Sequence, residues 1–190
     1  MARVEPLPTN QWPPEMRDAM AALAPSSPRH PRLVHEGRPK ALNLLGTFAH
    51  HPALARAFFT LNGHALLGTT LSSRQREILI LRVAHVRNAP YEWAQHLLAA
   101  HDAGLDDEEI ERIRSVPEAP LWNPLEAALL RAADELVGEG AIAEETWTVL
   151  TSELDTQQLL DVIVTVGAYE TVAWLLRSFA VDFDDDLTYG

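Results

Sequence analysis

The chain contains no cysteine among its 190 residues. Disulfides, thiolate metal sites and peroxidatic centres all require a thiol that can ionise. A thiol peroxidase mechanism is therefore chemically excluded for this polypeptide.

Positive charge is also scarce. The formal net charge is -12, Lys40 is the single lysine, and no basic cluster is present. Nucleic-acid binding depends on lysine and arginine neutralising phosphates, so we expect no nucleic-acid partner. An anionic substrate would need local arginines to offset this negative field.

Long apolar runs and a signal segment are missing as well. No apolar run approaches the ~20 residues of a membrane span. Residues 4–14 are rich in proline and polar side chains, unlike the apolar segment of a signal peptide. We therefore expect no membrane association and a cytoplasmic location.

No strand pattern is found, and every periodic segment has helical spacing, which predicts an all-α protein. Residues 1–38 form an irregular N-terminal arm with one short helix, from Glu15 to Leu23. Residues 39–182 form a single all-α domain, and 183–190 form an acidic tail that we expect to be solvated. The arm either wraps a neighbouring surface or is a poorly ordered leader.

The most informative segment, residues 71–104, predicts two helices joined by a short loop. Ser72 and Gln75 have the spacing of a capping box. The helix that follows is apolar on nearly every face, yet its first turn contains Glu77. The second helix begins at Pro90 and stops at Gly104, a residue suited to ending a helix.

Glu92 and His96 are four residues apart on the second helix, so their side chains share one face. If Glu77 reaches the same pocket, two carboxylates and one imidazole meet there. Neighbouring like charges raise one carboxyl pKa, and a nearby carboxylate raises an imidazole pKa. Acid and base roles can thus separate near neutral pH. The simpler alternatives are a helical pair of Glu92 with His96 and a dipole interaction of Glu77.

Tyr91-Glu92-Trp93-Ala94-Gln95-His96, preceded by Glu77, resembles the core motif of the carboxymuconolactone decarboxylase family, which also contains alkylhydroperoxidase D-type proteins. In the peroxidase branch a glutamate is followed by Cys-x-x-Cys-x-x-x-His. Here Ala89 and Glu92 occupy the two cysteine positions. The sequence is thus similar to the non-redox branch, and the resemblance implies an alkylhydroperoxidase D-like helical bundle.

The resemblance also implies a function, that of a cofactor-free lyase of the kind found in aromatic compound catabolism. His96 would act as acid and base, Glu92 would orient it, and Glu77 would complete the proton relay. The substrate would be a small carbonyl or carboxylated molecule undergoing decarboxylation, isomerisation or related chemistry. Family members are commonly homo-oligomers, so we expect a trimer or hexamer.

Tyr91, Trp93 and Arg87 are the candidate substrate-binding residues. Arg87 lies at the loop entering the second helix, where its guanidinium could hold a carboxylate through two parallel hydrogen bonds. Glu77, Glu92 and His96 would also suit a hard or borderline cation. A clear fourth ligand is lacking, so we expect neither a metal nor another cofactor.

Two other functions remain open. One is the peroxidase or disulfide reductase activity of relatives with Cys-x-x-Cys, which the absence of thiols argues against. The other is a non-catalytic oligomeric scaffold or ligand-binding module that keeps the helix pair for assembly.

A weak internal echo completes the sequence pattern. Ala168-Tyr169-Glu170 runs parallel to Pro90-Tyr91-Glu92, while Trp174 stands where His96 would be. Two related helical halves would explain the echo, and coincidence is the alternative.

Overall fold

A computed structural model describes residues 2–31, 40–115 and 121–187. Within these ranges the chain is helical and has no strand, which confirms the all-α prediction. Short 3-10 and π-helical segments lie at Thr9–Gln11 and His64–Gly68. The α-helices are α1 Met16–Ala21, α2 Leu42–Phe48, α3 Pro52–Gly63, α4 Ser73–Val86, α5 Pro90–Asp102, α6 Asp107–Ile113, α7 Pro124–Glu139, α8 Glu144–Glu153 and α9 Thr156–Phe179.

The chain divides into two compact units. The central unit is Thr70–Ala173, and the terminal unit combines Met1–Thr69 with Trp174–Gly190. These boundaries differ from the predicted ones, because the predicted arm and tail fall in the same unit as α2 and α3. Residues 32–38, the end of the predicted arm, lie outside the described ranges.

Helix α4 is the core of the central unit, and α5, α6 and α7 pack against it. Its predicted capping box is present, with the Ser72 hydroxyl accepting from the Gln75 amide at 3.1 Å and the Gln75 side chain accepting from the Ser72 amide at 2.9 Å. Four consecutive side chains are completely buried, namely Ile78, Leu79, Ile80 and Leu81. A helix buried on all sides fits its apolar sequence. It leaves Glu77, which lies in the second turn and not in the first as predicted, without water.

The predicted ends of the central-unit helices are largely confirmed. Pro90 occupies the first turn of α5, and Gly104 follows that helix with a φ of 86°. The Asn123 side chain accepts from the Glu126 amide at 2.9 Å and caps α7. Helix α7 ends where Gly140 supplies the left-handed turn that terminates it, with a φ of 75°.

The N-terminal residues of the terminal unit pack against α2. The Leu7 amide donates to the Gly46 carbonyl at 3.1 Å, and the Trp12 indole donates to the Leu7 carbonyl at 2.8 Å. A Cβ at Gly46 would lie only 2.5 Å from the Leu7 carbonyl oxygen, so the approach requires glycine. The described part of the arm is therefore held by its own chain.

The acidic tail is expected to be solvated, and Asp185 and Asp186 are exposed, whereas Asp184 is not. Asp184 is buried and accepts from the Asn43 amide at 2.7 Å. The Asn43 side chain donates back to the carbonyls of Asp182 and Phe183, at 3.1 Å each. Helix α2 follows Ala41, which has no side chain able to cap it. Asp184 fills that need from the far end of the chain, because a carboxylate stabilises a helix N-terminus.

Helix α9 has the length and composition of a membrane-spanning helix, and no other described helix does. About three fifths of its most apolar stretch, 61%, is buried inside the protein. Core helices share this property, so the observation is weak evidence for a membrane span.

Candidate functional site

The site is built on a direct contact between α4 and α5. Nδ1 of His96 lies 2.8 Å from Oε2 of Glu77. The Glu77 side chain is 0% exposed, whereas the His96 side chain retains 14% exposure. The structure therefore brings together two of the three predicted catalytic residues, one of them within reach of solvent.

An arginine holds the other oxygen of Glu77. Nε of Arg76 donates to Oε1 at 2.8 Å, and the Arg76 side chain is itself nearly buried. Burial alone would raise the pKa of Glu77, but His96 and Arg76 favour the charged form more strongly, and the net effect lowers this pKa. Glu77 is thus a carboxylate.

The ionised state of Glu77 fixes the histidine tautomer. A carboxylate can only accept, so Nδ1 of His96 must donate. In the neutral ring the lone pair is then on Nε2, which has no hydrogen bond to any described residue. This arrangement is that of a histidine base oriented by a buried carboxylate.

Tyr169 from α9 completes the surroundings of His96. The two rings meet edge to face, with centroids 4.9 Å apart and an interplanar angle of 88°. Burial raises the pKa of the Tyr169 hydroxyl well above its usual value, and the charge of Glu77 raises it further. The phenol therefore stays protonated and can serve as a hydrogen-bond donor.

Glu92 makes no hydrogen bond to His96. It is buried, and neither carboxyl oxygen has a hydrogen-bond partner among the described residues. Burial raises its pKa well above the usual value, and the charge of Glu170 adds to the rise. The carboxylate in contact with Nδ1 of His96 is that of Glu77. The i,i+4 spacing places Glu92 and His96 on one helical face without fixing where the carboxyl group ends.

Arg87 is engaged inside the protein. Its Nε donates to both carboxyl oxygens of Glu170, at 2.7 and 2.8 Å, and a terminal nitrogen donates to the Val137 carbonyl at 2.9 Å. A substrate carboxylate would have to displace Glu170 to use this guanidinium. The substrate-binding role of Arg87 stays a prediction.

Tyr91 and Trp93, the other predicted substrate-binding residues, are both buried. Trp93 packs beneath the Arg114 guanidinium, 4.3 Å from the ring centroid, and edge-on against His85 at 6.4 Å. These contacts account for Trp93 as a packing residue, and its predicted role is not tested by them.

Sequence reasoning missed three residues of the site, namely Arg76, Tyr169 and Glu170. The internal echo was a usable signal for two of them, because it aligned Tyr169-Glu170 with Tyr91-Glu92. No pattern distinguished Arg76 from the neighbouring arginines. Within the described residues, no three acidic or histidine side chains are arranged to hold a metal ion.

The fold resembles several solved structures. A protein of unknown function from Agrobacterium tumefaciens, whose description suggests an AhpD antioxidant defence protein, has a TM-score of 0.67 at 18% identity, covering 73% of this chain and 95% of that one. An uncharacterized peroxidase-related protein from Silicibacter sp. TM1040 has a TM-score of 0.67 at 20% identity, covering 76% and 77%. One from Ralstonia eutropha JMP134, described as an alkylhydroperoxidase AhpD core, has a TM-score of 0.66 at 17% identity, covering 76% and 77%. The fold is thus that of AhpD-like helical proteins.

Residues 52–135 match the sequence profile of the Carboxymuconolactone decarboxylase family, and this segment, which contains Glu77 and His96, belongs to that family. The resemblance stated from the motif is confirmed, for a chain that lacks both cysteines of the peroxidase branch. No curated protein matches the chain.

Glu77→Gln should destabilise the fold by about 3–5 kcal/mol at pH 7, because it removes one member of a buried charged pair. The folded-state pKa of Glu77 is lowered, so its stabilisation is present above the unfolded pKa of about 4.3 and is lost as pH falls through the folded pKa. Urea denaturation at pH 7 and pH 4 measures both effects. Glu111→Gln, in an exposed pair with Arg114 at 3.6 Å, is the control and should cost no more than about 0.5 kcal/mol. Equal losses of stability in Glu77→Gln and Glu111→Gln would contradict the description of Glu77 as a buried, paired carboxylate.

Glu92→Gln should raise the stability of the protein, whereas Glu77→Gln should lower it. The folded-state pKa of Glu92 is raised, so the wild type loses stability as pH rises above the unfolded pKa, whereas a glutamine has no proton to lose. We expect the free energy of unfolding of the variant to be higher than that of the wild type by about 1 kcal/mol or more at pH 8. At pH 4.5 the difference should be much smaller. Denaturation curves at both pH values test this. A variant equally destabilised at both would show that the carboxylate has a hydrogen-bond partner.

Proposed function

We propose that this protein is a cofactor-free acid–base enzyme of the carboxymuconolactone decarboxylase type, in which His96 transfers the proton. The observation that supports it is the 2.8 Å contact between Nδ1 of His96 and the buried carboxylate of Glu77. A buried carboxylate that fixes the tautomer of a partly accessible histidine is the arrangement of a general base.

In the proposed reaction Nε2 of His96 takes a proton from the substrate and later returns it. The positive charge that forms on the ring is stabilised by Glu77. Arg76 shares the charge of Glu77 and makes that carboxylate a poorer proton acceptor, so the proton stays on the imidazole. Glu77 therefore acts as a positioning residue.

Proton removal next to a carbonyl, or loss of carbon dioxide, leaves an enolate oxygen that needs a donor. Tyr169 is our candidate, because its hydroxyl stays protonated and its ring contacts His96. Glu92, whose pKa burial raises well above its usual value, is a second buried acid on the same helix as His96. It is our candidate for the group that reprotonates the carbon.

The substrate we propose is a small molecule with a carbonyl or carboxyl group, undergoing decarboxylation, isomerisation or a related lyase reaction. The family assignment and the absence of thiols support this chemistry. We further propose, from the resemblance, a cytoplasmic homo-oligomer of three or six chains.

A thiol peroxidase is the second candidate, since two of the structural relatives are described as peroxidase-related. The family motif places cysteines at the positions of Ala89 and Glu92. Neither side chain can form the sulfur intermediates that peroxide reduction requires.

His96→Gln should strongly slow proton transfer to and from the substrate. The assay is solvent deuterium incorporation, followed by proton NMR, into a panel of carboxylated lactones, β-keto acids and small aldehydes. General-base removal should slow exchange by about 10²–10⁴-fold, and Tyr169→Phe, as loss of an oxyanion donor, by about 10²–10³-fold.

The control for that experiment is His101→Gln, an exposed histidine on the same helix, which should exchange at the wild-type rate. Circular dichroism should show all three variants folded. Wild-type exchange in folded His96→Gln would exclude the proposed base, and the absence of exchange for every compound in the wild type would favour a non-catalytic scaffold.

With dithiothreitol as the reductant, the wild type should consume cumene hydroperoxide no faster than dithiothreitol does without the protein. The matched variant is Ala89→Cys/Glu92→Cys, which restores the Cys-x-x-Cys spacing before His96. We expect peroxide turnover only in that variant. Sustained turnover by the cysteine-free protein would contradict our proposal.

A further inference from the structure

Two arginines pair with the carboxylates of the candidate site. Arg76 contacts Oε1 of Glu77 through both Nε and a terminal nitrogen, at 2.8 Å each, and is itself buried. Arg87 contacts both oxygens of Glu170 through Nε, at 2.7 and 2.8 Å. All four residues lie in the central unit, so each guanidinium is neutralised by a carboxylate beside it.

A substrate could open neither pair at low cost. Glu77 is fully buried, and a substrate carboxylate that took Arg76 would leave it with one partner fewer. Glu170 is also buried, and Arg87 is held further by the Val137 carbonyl at 2.9 Å. Removing one partner of a buried ion pair is strongly destabilising. We therefore count neither arginine as available to a ligand.

The charge that remains around His96 is negative. Burial and then the charge of Glu77 raise the pKa of Tyr169, and burial and the charge of Glu170 raise the pKa of Glu92. The formal net charge of the whole chain is -12. A substrate carboxylate would meet like charges in a largely buried space, where they repel each other more strongly than in water.

The two groups left to bind a substrate are uncharged. Nε2 of His96 has a lone pair, and the Tyr169 hydroxyl keeps its proton. The two rings are in contact, so an acceptor and a donor stand side by side. A carboxylate could pair with His96 only when the ring is protonated, and that form has no lone pair with which to take a proton.

We infer that the site takes an uncharged carbonyl compound and discriminates against carboxylates. The inference rests on the proposed function, which allows both a carbonyl and a carboxyl substrate. Nε2 of His96 takes a proton from the carbon next to the carbonyl. The C–H electron pair forms a carbon–carbon double bond, and the carbonyl π pair moves to the oxygen, to which Tyr169 donates.

The proton then returns from His96 to carbon. Its return to the same carbon gives hydrogen exchange, and its return to a conjugated carbon gives an isomer. Decarboxylation of a free acid starts instead from the anion that the site discriminates against. Isomerisation of an uncharged ketone, aldehyde or lactone is therefore the reaction class that the charges of the site favour.

The test compares levulinate with 2,5-hexanedione, which has the same number of heavy atoms and an acetyl group in place of the carboxylate. Binding to the full chain at neutral pH is followed by the NMR signals of the His96 ring, identified by their loss in His96→Gln. We expect 2,5-hexanedione to bind about tenfold more tightly, or better. Equal binding, tighter binding of levulinate, or no shift with either compound would overturn the inference.

Glu170→Gln tests the cause of the preference. It removes one buried negative charge and frees the guanidinium of Arg87, so levulinate should bind about tenfold more tightly than to the wild type. Glu111→Gln removes an exposed negative charge from the same unit and should keep the wild-type preference. An equal preference in all three proteins would come from polarity alone and would overturn the inference. The wild-type comparison does not depend on whether Glu170→Gln folds, which circular dichroism checks.

Deuterium exchange into the same two compounds separates this inference from the proposed function. If 2,5-hexanedione binds preferentially beside His96 and no exchange occurs, the catalytic proposal fails and the inference about charge holds. If exchange requires His96 but has a higher kcat/KM for levulinate than for 2,5-hexanedione, the catalytic proposal holds and the inference fails.

Discussion

The central unit depends on the burial of one ionised carboxylate. Glu77 stands in a helix whose next four residues are completely shielded from water. An ion in such a place is costly unless it is paired and fully hydrogen-bonded. His96 and Arg76 meet that requirement from two sides, one for each oxygen. The need to compensate Glu77 therefore fixes how α5 packs on α4, and the same contact gives the histidine its orientation. Under our proposal, stability and chemistry depend on the same interaction.

The sequence predicted what is local and left open what depends on side-chain direction. The caps at Ser72, Asn123 and Gly104 mark helix boundaries because each satisfies backbone groups within a few residues. The pairing of Glu77 with His96 followed from the resemblance to a family motif. The sequence did not reveal that Glu77, and not Glu92, contacts His96. The spacing of four residues between Glu92 and His96 is compatible with several rotamers of the Glu92 side chain. Tyr169 is more than seventy residues from His96, and only the faint echo of Tyr91 pointed to it.

The chain ends illustrate the same limit. Prolines and charged residues predicted an irregular arm and a solvated tail, and the described parts are indeed without long helices. Backbone groups at α2 nevertheless need partners. Because Gly46 has no Cβ, the backbone at Leu7 can pack closely against it. Asp184 caps α2, whose own N-cap residue is alanine. Composition does not reveal such pairings, since they join residues more than a hundred positions apart or depend on a missing Cβ.

The opposed pKa shifts of two glutamates suggest how the family motif can work without sulfur. Glu92 occupies a cysteine position of the peroxidase motif, and burial raises its pKa while His96 and Arg76 lower that of Glu77. Under our proposal, a carboxyl group with a raised pKa supplies a transferable proton from the helix that carries His96, but it has no redox chemistry. Under our proposal, replacing the cysteines therefore removes electron transfer and leaves the proton-handling pair intact. The replacement of the two cysteines leaves the contact between Glu77 and His96 unchanged, because neither of these residues stands at a cysteine position of the motif.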